Sequence, residues 1–265
     1  MATFPGVQGD VYYRKWLVDD PIATYVFLHG YGEHSGLYQR FAVALNDARI
    51  DLWALDQIGH GHSAGERGLV ESIEDLVENG RRLTRLARTD LPDIPVVLAG
   101  HSLGGVTAAI LAAREPEQLA GVVLSGTPLS PLDWVTELAG ENPAEISLDA
   151  ADLSSDPWYL DALENDPLAF TSAHVGRTLG NTFPPAWAEL ERTLELVDVP
   201  VLLVNGGDDP IAPITDVRVW AGRLRQGDLA EFAGAKHDVL NESIYASVAA
   251  RIVQFVREVA ATVRS

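Results

Sequence analysis

Residues 95–114 read PVVLAGHSLGGVTAAILAAR, and the fold class turns on how this stretch divides. The opening PVVLA is a short, β-branched, wholly apolar run, the signature of a strand buried on both faces of a parallel sheet. From Leu103 to Arg114 the chain is apolar with a small-residue face and long enough for a helix. Between the two, Gly100-His101-Ser102-Leu103-Gly104 fits the pattern G-x-S-x-G. A strand before and a helix after are the context this pattern needs. The serine then sits on a sharp, strained turn with its hydroxyl projecting above the sheet edge. Glycines flank it because side chains there would collide with the neighbouring strand and helix. Ser102 is the candidate nucleophile; an ordinary glycine-rich turn would not need both flanking elements.

The same alternation extends in both directions. Val11–Val18, Ile22–Leu28, Ile50–Leu55, Val96–Ala99, Gly121–Leu124, Val199–Val204 and Leu229–Phe232 read as strands. Helical patterns lie between them. Ser72 is placed to N-cap a helix running to about Thr89, and Pro213–Arg225 opens with a tolerated early proline. In Asn241–Val263, Ile244, Val248, Ile252, Val256 and Val259 recur at helical spacing. Such alternation predicts an α/β fold with a mostly parallel central sheet flanked by helices. One stretch breaks the rhythm. Residues 127–190 hold eleven acidic residues against a single base, Arg177, together with Trp134, Trp158 and Trp187. A connection this long needs structure of its own, and a lid is the expected form. The chain is thus read as a core, 1–126 and 191–265, interrupted by an acidic helical cap at 127–190.

A serine at its free pKa is a poor nucleophile; it needs a base, itself oriented by a carboxylate. In this fold class the order along the chain is Ser, then Asp or Glu, then His. Only His174 and His237 follow Ser102, and His174 falls in the insertion, so His237 is the expected base. The acid should follow the strand at 199–204, where Gly206-Gly207-Asp208-Asp209-Pro210 offers two neighbours. Successive side chains diverge in a tight turn, and the spacing from Gly206 favours Asp209, leaving Asp208 to solvent. Two backbone amides should serve the oxyanion: Leu103, directly after the nucleophile, and Tyr31 in the loop His29-Gly30-Tyr31-Gly32. With backbone donors, the Tyr31 side chain matters little, and His29 is expected to shape its loop by local hydrogen bonds. His60 and His62 alternate without a carboxylate or cysteine set beside them, so no metal is expected, and no cofactor.

Composition narrows the partners. With 38 Asp and Glu against 19 Lys and Arg, the formal net charge of −19 repels nucleic acid and anionic membranes. The absence of cysteine rules out disulfides, zinc–thiolate sites, iron–sulfur clusters and a thiol nucleophile. Met1–Asp10 has neither a basic nor an apolar leader segment, and no apolar run is long enough to span a bilayer, so the expected location is cytoplasmic.

Several motifs together resemble the monoacylglycerol lipase/lysophospholipase branch of the α/β-hydrolase superfamily, the serine aminopeptidase S33 or Hydrolase-4 group. His29-Gly-Tyr-Gly-Glu33-His34-Ser-Gly-Leu-Tyr38 is similar to its HGxGEHSxRY. Asp56-Gln-Ile-Gly59-His60-Gly61-His-Ser63-Ala-Gly65-Glu-Arg67-Gly68 is similar to its DxxGHGxSxGxRG, and the segment at Ser102, Asp209 and His237 match in order. The resemblance implies a cofactor-free serine hydrolase of carboxylic esters, acting on monoacylglycerols or related small-molecule monoesters beneath a cap. It implies too that Glu33, His34, Asp56, His60 and Arg67 build the loops around the pocket. Leu37 stands where the family carries arginine, and the cap is far more acidic than apolar. Such a cap should disfavour anionic substrates, with Arg177 the one base to offset them. The competing expectations are an esterase for another small ester, lactone or thioester, and a non-catalytic ligand-binding protein on the same fold.

Overall fold

The computed structural model describes residues 2–138 and 146–264. Every position of the strands Ala23–Leu28, Val96–His101, Gly121–Ser125 and Val201–Gly206 is buried, as their unbroken apolar runs require. In chain order they are β3, β5, β6 and β7. The sheet is completed by β1 (Ala2–Pro5), β2 (Asp10–Trp16), β4 (Ile50–Leu55) and β8 (Gly227–Phe232), in the spatial order β1-β2-β4-β3-β5-β6-β7-β8. β1 and β2 pair antiparallel, as do β2 and β4; from β4 to β8 all pairs are parallel.

Strand side chains alternate between faces, and two cores result. On one face Tyr25, Phe27, Leu52, Val97, Val123 and Leu202 pack against α1 (Gln39–Asp47) and α9 (Tyr245–Arg264). On the other, Val26, Leu28, Leu98 and Leu203 meet α2 (Ile73–Asp90), α3 (Leu103–Arg114) and α8 (Ile214–Arg223). Ser72 caps α2 by accepting from Glu74 N–H at 3.2 Å. Pro213 stands at the N-cap of α8 rather than inside it. α9 starts at Tyr245, later than its periodicity suggests, because the preceding residues are committed elsewhere. Asn241 N–H turns back to the Asp238 carbonyl at 3.0 Å, and the Glu242 carboxylate takes Ser155 N–H and Oγ. Ile244 is accordingly 38% exposed rather than part of the core. β1 and α1 carry no pattern that marks them in the sequence.

Between β6 and β7 the chain forms α4 (Asp133–Leu138), α5 (Ala150–Leu153), α6 (Pro157–Asn165) and α7 (Val175–Thr193). Residues 139–145, with Glu141 and Glu145 of the acidic set, lie outside the described residues. α7 carries Pro184 and Pro185 within it, and its Ala186, Trp187 and Leu190 are buried in the same core as α3. Among the described residues no helix is long and apolar enough to cross a membrane.

Candidate active site

Ser102 follows β5 at the N-cap of α3 with φ 51° and ψ −119°, a conformation that costs a non-glycine residue about 1–3 kcal/mol. The turn is held by its surroundings. Ser102 N–H donates to the Ser125 carbonyl and its own carbonyl accepts from Val106 N–H, both at 3.0 Å. A Cβ on Gly100 would lie 2.1 Å from the Gly104 carbonyl oxygen, and one on Gly104 would lie 2.0 Å from that of Leu28. Only glycine lets α3 approach the strands this closely. Leu103 N–H, at the first turn of α3, has no intrahelical acceptor to claim it.

The two carboxylates after β7 have opposite environments. Asp208 is exposed; Asp209 is buried, and both its oxygens face His237 Nδ1, at 2.9 and 3.1 Å. Asp209 Oδ1 also accepts from Ile211 and Ala212 N–H at 2.8 Å each. Burial pushes the Asp209 carboxyl up, but His237 and the two amides outweigh it and hold the group below the ordinary carboxylate range. His237 is buried and its ring lies 4.8 Å, centroid to centroid, from that of His101. His174 pairs instead with Glu66 at 3.0 Å, on the surface.

The loop after β3 is held from three sides. His29 Nδ1 donates to the Gly30 carbonyl at 2.7 Å, while Gln57 N–H donates to Nε2 at 2.8 Å, which fixes the neutral tautomer. Burial drives His29 down to about 3. The Gly30 N–H donates to Glu33 Oε2 at 2.7 Å. The Tyr31 hydroxyl donates to the Ala173 carbonyl and accepts from Ala173 N–H at 3.1 Å, while its ring stands edge-on to Phe170, 5.4 Å away. The Tyr31 side chain, expected from the sequence to matter little, thus fastens the loop to the segment before α7. Neighbouring loop residues are also structural: Asp56 accepts from Ser35 and His62 N–H at 2.8 Å each, and Arg67 donates to the Pro167 and Ala169 carbonyls. His60, driven down to about 3 by burial, donates from Nδ1 to the Ile58 carbonyl.

One cavity brings Tyr31, Ser102 and His237 together. Its remaining walls are chiefly apolar, with Leu132, Trp134, Leu148, Leu179 and Phe183 contributed by the inserted segment. Among the described residues, the inserted acids lie elsewhere. Asp133, Glu137, Asp149, Asp152, Asp161 and Glu164 are exposed, and Arg177 pairs with Glu71 at 2.6 Å. Glu33 and His101 are buried at the cavity wall, and no sequence spacing marks either for a part in the chemistry.

The chain matches the family model described as serine aminopeptidase, S33, over residues 19–244. It is 33% identical to a monoacylglycerol lipase of Mycolicibacterium smegmatis over 91% of this chain and 90% of that protein. It is 32% identical to a monoglyceride lipase of Homo sapiens, over 74% and 68% respectively. Its structure superposes on the crystal structure of the Paleococcus ferrophilus monoacylglycerol lipase with a TM-score of 0.79 at 27% identity, covering 94% of this chain and 99% of that one.

Proposed function

Because the chain belongs to the serine aminopeptidase S33 family, with an α/β-hydrolase fold, we propose that it hydrolyses monoacylglycerols through a Ser102–Asp209–His237 triad. At the coarser level it is an ester hydrolase of the α/β-hydrolase type. One observation carries the finer reading. A serine in a strained turn at a helix N-terminus shares a largely apolar cavity with a buried histidine whose far nitrogen is held by a buried carboxylate.

In this reading Ser102 Oγ attacks the ester carbonyl as His237 Nε2 takes its proton. Asp209 keeps Nδ1–H in place and stabilises the imidazolium that forms. The amides of Tyr31 and Leu103 receive the developing oxyanion. The glycerol oxygen then leaves with the proton from His237. Water, deprotonated by the same imidazole, attacks the acyl-enzyme and releases the fatty acid, restoring Ser102. The residues 127–190 act as a cap: their apolar inner side holds the acyl chain and their exposed acids face solvent. An exposed acidic face opposes anionic surfaces at long range without entering the acyl pocket.

Ser102→Ala is expected to abolish hydrolysis of a monoacylglycerol and labelling by a fluorophosphonate, while leaving the melting temperature near that of the parent. Retained turnover in a folded variant would sink the assignment.

A further inference from the structure

Behind the cavity two carboxylates meet. Glu33, in the loop after β3, and Asp238, which follows His237, are 3% and 0% exposed. An oxygen from each and a ring nitrogen of His101 all lie within 4.8 Å of one another. Glu33 accepts from three donors: Gly30 N–H and the Tyr38 hydroxyl on Oε2, both at 2.7 Å, and the Tyr159 hydroxyl on Oε1 at 2.6 Å. Asp238 Oδ2 accepts from Asn241 Nδ2 at 2.8 Å, but Asp238 Oδ1, equally enclosed, has no partner. The titratable groups facing the pair are Tyr38 from the turn before α1, Tyr159 from α6, His101 from the end of β5 and His237 beside Asp238 in the chain. None of these is a lysine or an arginine. Two buried carboxylates this close cannot both stay ionised, and a buried carboxylate oxygen left without a hydrogen bond is costly.

We infer that Glu33 and Asp238 hold one proton between them, and that this acid pair positions the oxyanion loop against the loop that carries His237. The proton gives Asp238 Oδ1 the donor it lacks. Burial, with the charge of Asp238 next in weight, pushes Glu33 up to about 8, so the pair keeps its proton at neutral pH.

The inference rests on the roles proposed above for Ser102, His237 and Tyr31. Glu33 fixes the Gly30 amide, and the next amide along is the proposed oxyanion donor. Asp238 shares a peptide bond with His237, and its N–H donates to the Leu153 carbonyl at 2.8 Å. Tyr159 comes from the inserted segment. One proton therefore ties together three parts that must align. When it leaves, two negative charges face each other across the joint and push the oxyanion loop and the His237 loop apart. Glu33 and Asp238 are positioning residues: they need not touch the ester.

The test is a pH profile with a split between kcat and KM. A triad alone leaves turnover level once its imidazole is neutral. With a soluble p-nitrophenyl monoester, wild-type kcat is expected to fall above about pH 8, approaching roughly tenfold per unit for loss of one proton, with KM little changed. Asp238→Asn removes the like charge, so two facing negative charges can no longer form and the alkaline fall should disappear. An unchanged alkaline limb in a folded Asp238→Asn protein overturns the inference. Infrared spectroscopy of the wild-type protein covers the case in which variants fail to fold. A protonated carboxylic acid band should be present at neutral pH and vanish above about pH 9; its absence at neutral pH overturns the inference. The same band in Ser102→Ala protein reads the pair independently of the nucleophile, so a failed triad and a failed pair give different results. A divalent metal found in the purified protein, with turnover lost on chelation, would assign Glu33, His101 and Asp238 to that ion instead and overturn the shared proton.

Discussion

Asp208 and Asp209 are adjacent and chemically identical, yet only one of them is enclosed. The backbone decides this: Asp209 receives the Ile211 and Ala212 amides and the imidazole, while Asp208 faces water. Asp209→Asn is expected to lower kcat by about 10³–10⁴-fold, since an amide mis-sets the imidazole tautomer. Asp208→Asn should stay within about twofold, as surface substitutions usually do. Steady-state kinetics on the two folded variants checks the pair. The spacing from Gly206 made this choice legible in the sequence, because a turn of fixed length presents a fixed side chain. Nothing comparable announces Glu33 and Asp238. They approach only once β3 and β8 occupy opposite parts of one sheet, and no local spacing records such a meeting.

Among the elements, the four central strands were legible because burial on both faces leaves an apolar run with no competing pattern. β1 was not: it has four residues, lies at the sheet edge and ends in proline. α1 has nine residues and no side-chain hydrogen bond at its N-cap, so neither length nor a capping signal marks it. The insertion is legible as helical, but its individual helices are not, for a related reason. Their apolar residues serve a cavity wall as well as a core, which blurs the helical period. The tether between the loop after β3, proposed to hold the oxyanion, and this insertion gives a test at this scale. Tyr31→Phe removes both hydrogen bonds to Ala173 while keeping the ring against Phe170. Loss of a buried hydroxyl's partners typically costs about 1–3 kcal/mol. The variant should melt a few degrees lower and lose several-fold in kcat, the amide being less firmly placed. An unchanged kcat would show that the loop holds its shape without the tether.

At the scale of the whole molecule, pH acts through buried imidazoles as well as through the surface charge of −19. His29 and His60 are both driven down to about 3 by burial. Below the ordinary histidine value the unfolded chain binds protons that the folded chain refuses, so stability is present above about pH 6.5 and is lost as pH falls toward 3. Urea unfolding at successively lower pH should show this decline, and His29→Gln should soften it if the variant keeps its fold. Glu33 acts in the opposite sense: raised to about 8, it favours the folded state most at low pH, and that contribution fades as pH rises from about 4.5 to 8. Two histidines against one carboxyl leave the acid side the weaker.

The strand order has a consequence in time. β8 lies at the far edge of the sheet, bonded to β7 alone, and His237 rides on the loop that leaves it. The elbow at Ser102, by contrast, is built in the middle of the sheet from β5 and α3. A refolding chain can complete the elbow early, but it gains the proposed base only when the last strand docks. Contacts between segments far apart in sequence form late, after the loop-closure cost has been met. Recovery of ester turnover during refolding then marks the arrival of the outermost strand, whereas the fluorescence of a central residue such as Trp53 marks collapse of the middle.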